Sequence, residues 1–133
     1  MKVDIVDLNA VDAQRLVTES LIQSGFAVVE NHKIPISELN ALYDDWDNFF
    51  CKSNPDQYVT DAESQAGYFS ALFAETAKGH EAQDLKEYFH YWPGGVLPGS
   101  VEKLTLHYYD AIFNLGRDVM TWLQANSPTS LWH

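Results

Sequence analysis

Apolar and polar positions along this chain follow two periods, and their order predicts its elements. Over Lys2–Asp7, Val3 and Ile5 alternate with Lys2 and Asp4, a period of two that predicts a first strand. From Leu8 to Ser24 the period lengthens. Leu16, Val17, Ser20, Leu21 and Ser24 share one face, predicting an amphipathic helix with Asn9 as its cap and Asp12 in its first turn. Gly25 follows, where a residue just past a helix end takes positive φ that glycine tolerates without strain. Phe26 to Val29 is a short apolar run with two β-branched residues, which predicts a strand buried on both faces. Asn31-His32 then form a polar turn, and Pro35 keeps the residue before it out of the helical region.

The second helical pattern is the clearest. Ser37 is its predicted cap, and Leu39, Leu42, Tyr43, Trp46, Phe49 and Phe50 recur at helical spacing, with Asp44, Asp45 and Asp47 on the outer face. That carboxylate trio reads as surface charge rather than as a metal site. Asn54–Ala66 lacks periodicity and predicts a loop with at most one helical turn. Asp84–Trp92 ends in five residues that are aromatic or His, before Pro93-Gly94-Gly95, and predicts a strand closed by a turn. A last helix begins near Ser100. Val101, Leu104, Tyr108, Ile112, Leu115, Val119 and Trp122 sustain it for about 25 residues, roughly 37 Å. Gly116 inside it weakens the helix unless another backbone packs closely there. The fold class is therefore α+β: three main helices with a small sheet of short strands, in one domain spanning 1–133.

Composition narrows the possible functions. Hydrophobic residues make up 46% and aromatics 14%, enough for a packed core and against disorder. With 8 Lys plus Arg against 19 Asp plus Glu, the net charge is −11. Such a surface repels phosphate backbones, so no nucleic-acid partner is expected. No apolar run reaches a membrane span and no signal-peptide core appears, so no membrane partner is expected either. The lone Cys51 fits a reducing, cytoplasmic setting.

Four landmarks carry a family resemblance: Gly25-Phe26 with Asn31-His32, the pair Phe49-Phe50, Gly67-Tyr68, and Asp84 with Lys86, Glu87 and Phe89. Their order and spacing resemble the N-terminal region of the isopenicillin-N-synthase-like 2-oxoglutarate/Fe(II)-dependent oxygenases. "GYF" combined with "ETAKGH" and "DLKEYFHYW" is most similar to bacterial members. The resemblance covers about residues 3–125, with one departure: Cys51-Lys52 follows Phe49-Phe50 where the family often has Leu-Pro. It implies Fe(II) and 2-oxoglutarate as cofactors of an intact member, with none held by this chain. It also implies that Tyr68, Phe69, Tyr88 and His90 are candidates for a wall over the substrate opening. Each of the four also reads as a core aromatic or core histidine.

The family's catalytic half, a double-stranded β-helix, carries an H-x-D, a distant His and an Arg-x-Ser. The iron needs two His and one carboxylate so that positions stay open for cosubstrate and oxygen. Here the histidines are 32, 80, 90, 107 and 133, none heads an H-x-D, and neither Arg15 nor Arg117 has a Ser two residues on. No catalytic and no metal-ligating residue is assigned in this chain; His32 is expected to bond locally within its turn. No nucleophile elbow or phosphate loop is present. The expectation is an N-terminal substrate-wall and structural domain, inactive alone and partnered by the missing catalytic domain or by self-association. The alternative is a free-standing protein-interaction module derived from the same family.

Overall fold

In the computed structural model, which describes residues 3–59, 63–71 and 86–127, the elements follow one another as β1 (Ile5–Asp7), α1 (Ala13–Ser24), β2 (Val28–Glu30), α2 (Ile36–Lys52), a 3-10 turn (Pro55–Tyr58), β3 (Gly67–Phe69), β4 (Tyr88–His90) and α3 (Glu102–Asn126). Three helices and short strands make this an α+β fold, as the periodicity predicts. The strands form two separate two-stranded sheets rather than one. The chain divides into two compact units: residues up to Leu39 together with those from Leu106 onward, and Asn40–Thr105.

The first unit is built on β1–α1–β2. The two strands run parallel, with Ile5 opposite Val28, Val6 opposite Val29 and Asp7 opposite Glu30. Adjacent strand residues point to opposite faces. Val6 therefore turns inward to pack with Ala13 and Val17 of α1, joined by Val29 and by Val119 and Trp122 from α3. Burial of Val17, 1% exposed, contributes ~1.5 kcal/mol or more. On the other face Ile5 is 64% and Val28 47% exposed, so the expectation of a strand buried on both faces fails. Among the described residues the sheet has two strands, and the core just described lies against one of its faces.

The turns around this sheet are tightly bonded. Asn9 does not cap α1: its N–H donates to Asp7 Oδ1 at 2.9 Å and Ala10 donates to the Asp7 carbonyl, so residues 8–12 are spent in turns and the helix starts at Ala13. Arg15 reaches both Asp12 and Glu19 at 2.7 Å. At the helix end Gly25 takes φ 77°, and its N–H donates to the Leu21 carbonyl at 2.9 Å. Ser20 and Ser24 hydroxyls both donate to the Phe26 carbonyl, fixing the chain as it leaves that turn. Asn31 and Lys33 adopt φ of 58° and 63°, and the Asn31 amide donates to Asp7 Oδ1 at 2.7 Å. That bond, and the one from Asn9, hold the Asp7 carboxyl below its ordinary pKa.

α2 starts at Ile36 rather than after a Ser37 cap, because the Pro35 carbonyl accepts from Glu38 and Leu39. It continues through Cys51-Lys52, where the family often has Leu-Pro. α3 likewise begins without a Ser100 cap. The Pro98 carbonyl takes the N–H groups of Val101 and Glu102, both at 3.0 Å.

In the second unit the aromatic residues of α2 supply the core. Phe49, 1% exposed, meets Trp46, Phe50, Tyr58 and Phe89 with ring centroids 5.3–5.9 Å apart. The Trp46 indole donates to Thr105 Oγ1 at 3.0 Å, tying the start of this unit to its end. Leu97 and Val101 are buried beside the turn into α3.

Candidate functional site

β3 and β4 are antiparallel, with Gly67 opposite His90, Tyr68 opposite Phe89 and Phe69 opposite Tyr88. The strand predicted over Asp84–Trp92 is confined to Tyr88–His90, so Lys86 and Glu87 precede it. Asp84 and His80 lie outside the described residues.

One face of this hairpin belongs to the core. Phe89 packs on Trp46, Phe49 and Tyr58, and Tyr68 approaches Phe50 at 6.3 Å. Tyr68 is 6% exposed, yet its hydroxyl reaches Glu87 Oε2 at 2.6 Å. Donation to that carboxylate, aided by burial, pushes the Tyr68 pKa up to about 12, because ionising the phenol would set two anions against each other. Tyr68 and Glu87 therefore act as a latch between the segments leading through β3 and into β4.

The other face gathers Phe69, Tyr88 and His90. Phe69 and Tyr88 rings stack at 4.9 Å with planes 10° apart, and His90 lies 5.1 Å from Phe69 and 4.7 Å from Tyr88. The Lys86 ammonium sits 4.6 Å from the Tyr88 ring centroid, a cation–π contact. Gln65, at φ 48°, turns its carbonyl toward this edge, accepting from the Trp92 indole at 3.0 Å and lying 3.3 Å from His90 Nδ1. A proton on His90 Nδ1 completes that second bond and leaves Nε2 as a free acceptor. The result, among the described residues, is an aromatic shelf with the Lys86 ammonium and the His90 imidazole at its border.

Of the four wall candidates, the structure brings together Phe69, Tyr88 and His90 and puts Tyr68 on the opposite face. Two contributors were missed. Trp92 stood in the aromatic run, where its indole donor was a usable signal; Gln65 gave none, since its part depends on a strained backbone. Gly67, with φ 95°, is buried opposite His90. His32 bonds within its turn, where Nδ1 accepts from the Ile34 N–H at 3.2 Å. Beside it Asn9, Asn31, His32, Lys33, Ile34 and Pro35 line an open cleft of about 480 Å³.

An iron centre does not fit the described residues: among them no three His, Cys, Asp or Glu side chains come together as a metal would require. Among them, too, no helix is long and apolar enough to cross a membrane.

The model of a protein family described as the N-terminal region of non-haem dioxygenase in morphine synthesis matches residues 3–95, which include both strands of the shelf. The chain belongs to this family. Two solved structures share the fold of this family domain. A protein of Shewanella oneidensis inferred to be an oxygenase superposes with a TM-score of 0.85 at 34% identity, over 98% of this chain and 47% of its own. A protein of Caulobacter crescentus inferred to belong to the 2OG-Fe(II) oxygenase family gives 0.73 at 21% identity, over 93% of this chain and 48% of its own. The chain thus spans about half the length of either. No match was found among functionally curated proteins.

Proposed function

We propose that this chain is the N-terminal part of a non-haem, Fe(II)- and 2-oxoglutarate-dependent oxygenase, and that Phe69, Tyr88 and His90 form a wall of its substrate opening. The observation that carries this reading is the 0.85 TM-score at 34% identity with the Shewanella oneidensis protein, together with the half-buried aromatic shelf on β3–β4 and its exposed His90. In this reading the chain contributes no iron ligand and no 2-oxoglutarate clamp, and acts by shaping and covering the place where substrate enters. Iron and cosubstrate belong to the remainder of the protein, and the chain alone is inactive.

The first test is the coding sequence downstream of codon 133. An in-frame H-x-D, a later His and an Arg-x-Ser are expected; a catalytic half without them would overturn the proposal. The wall is tested in the resulting full-length enzyme with Phe69→Ala and His90→Ala. Both should weaken substrate-stimulated 2-oxoglutarate turnover while leaving binding of 2-oxoglutarate itself unchanged. Equal loss of both would assign these residues to packing instead.

A second reading, a free-standing interaction module of the same family, is favoured by the exposed apolar pair Ile5 and Val28 on the outer face of β1–β2. A stop codon after His133 in the intact gene would support it.

A further inference from the structure

One side of α3 is committed to the first unit, where Val119 and Trp122 join the core around Val17. A second apolar stripe runs beside it. Leu106, Tyr109, Phe113, Gly116, Met120 and Leu123 recur at alternating steps of three and four, the heptad spacing of a helix that pairs with another. The stripe is open: Leu106 is 36%, Phe113 58% and Met120 56% exposed. Its rings are already ordered, with Tyr109 and Phe113 nearly parallel at 6.2 Å.

Gly116 is the informative position. Glycine is a poor helix former, and a Cβ here would meet nothing within 4 Å among the described residues, so packing against those residues does not explain it. A facing helix does, because glycine leaves a hollow that a large side chain from the partner can enter.

We propose that α3 pairs antiparallel with α3 of a second copy of this chain. Antiparallel pairing matches Phe113 of one copy with Gly116 of the other, Tyr109 with Met120 and Leu106 with Leu123, so each wide ring meets a narrow or flexible partner. The same two-fold axis sets Asp110 beside Arg117 of the other copy, and does so twice. Both residues are exposed, and neither is in an ion pair among the described residues. The border of the stripe is therefore self-complementary in charge on a chain of net charge −11, whose other acidic faces repel their own copies. The stripe lies beyond the 3–95 region that defines the family match.

Sedimentation of the chain across a range of concentrations tests this. Reversible dimerisation is expected. Asp110→Arg should weaken it about tenfold, through two lost attractions and two new repulsions. The double variant D110R/R117D should restore it to within roughly threefold of the original, since the pairing is only reversed. Gly116→Leu should weaken the dimer while far-UV circular dichroism shows the helices intact. A chain that stays monomeric throughout overturns the proposal and leaves the stripe to another part of a longer polypeptide. A dimer that Asp110→Arg leaves unchanged, or that the double variant fails to restore, overturns it too, because association then uses a different face.

Discussion

Gly25 offers a perturbation whose cost can be isolated. Its φ of 77° and ψ of 0° lie in the left-handed region, and its N–H closes α1 by donating to Leu21. A Cβ built there meets nothing within 4 Å, so a substitution introduces backbone strain without a clash. The left-handed conformation costs an ordinary residue roughly 1–2 kcal/mol. Replacing glycine also removes freedom from the unfolded chain, which returns about 0.4–1 kcal/mol. Gly25→Ala should therefore destabilise by about 1 kcal/mol, and Gly25→Val by about 2 kcal/mol because its branched carbon tolerates this region least. Gly25→Asn should cost only a few tenths, about 0.5 kcal/mol, since asparagine visits the left-handed region routinely. For a domain holding ~5–15 kcal/mol these are sizeable shifts. Urea titration followed by far-UV circular dichroism reads them as midpoint changes at constant slope. Coincidence of the valine variant with the parent, or asparagine faring no better than valine, would refute the left-handed assignment. Losses well above 3 kcal/mol for alanine would instead mean that the site is packed.

Three further outcomes are expected. Tyr68 has a raised pKa, so its latch to Glu87 stabilises fully below about pH 10 and fades as pH rises toward about 12; Tyr68→Phe should cost about 1 kcal/mol at neutral pH and flatten the alkaline loss in urea melts taken from pH 9 to 12. An alkaline profile identical in the two proteins would show that the bond does not form. Gly116→Ala should stabilise the chain by about 0.5–1 kcal/mol in dilute solution, where it is monomeric, since a Cβ there meets nothing within 4 Å among the described residues; a lower melting temperature under those conditions would mean that the position is crowded within the chain. Anaerobic titration calorimetry of the chain with Fe(II) should give no stoichiometric micromolar site, since among the described residues no three His, Cys, Asp or Glu side chains come together; one well-defined site would overturn the division of labour proposed above.

The sequence was most legible where local chemistry decides the outcome. Gly25 and the long apolar periods of α2 and α3 announced themselves, because glycine placement and helical spacing need no partner. Helix starts were misread at Asn9, Ser37 and Ser100 for a shared reason. Each is a good capping side chain, but the first bonds of α2 and α3 go instead to the carbonyls of Pro35 and Pro98, and Asn9 is drawn back to Asp7. The sidedness of β2 depended on what lies across the sheet, which no local pattern encodes.

The shelf shows the same divide. A period of two already requires that Tyr68 and Phe69 face opposite ways and that Tyr88 and His90 face together. Whether Tyr68 or Phe69 joins the β4 pair is fixed only by register, with Phe69 opposite Tyr88. The Tyr68–Glu87 bond was beyond reach for that reason, spanning 19 residues between segments whose alignment emerges only on folding.

The division of the chain bears on the order in which it assembles. The first unit is discontinuous: Val17 meets Val119 and Trp122 across about 100 residues of chain, a closure that costs about 4 kcal/mol of chain entropy, and about 66 of those residues are Asn40–Thr105. Those intervening residues form a unit of their own whose ends are drawn together where Trp46 bonds Thr105. As the chain emerges from the ribosome, Asn40–Thr105 can condense before α3 is finished, and that condensation shortens the loop the first unit has to close. The earliest-made strand, β1, then completes its core last, waiting on a tryptophan synthesised more than a hundred residues later.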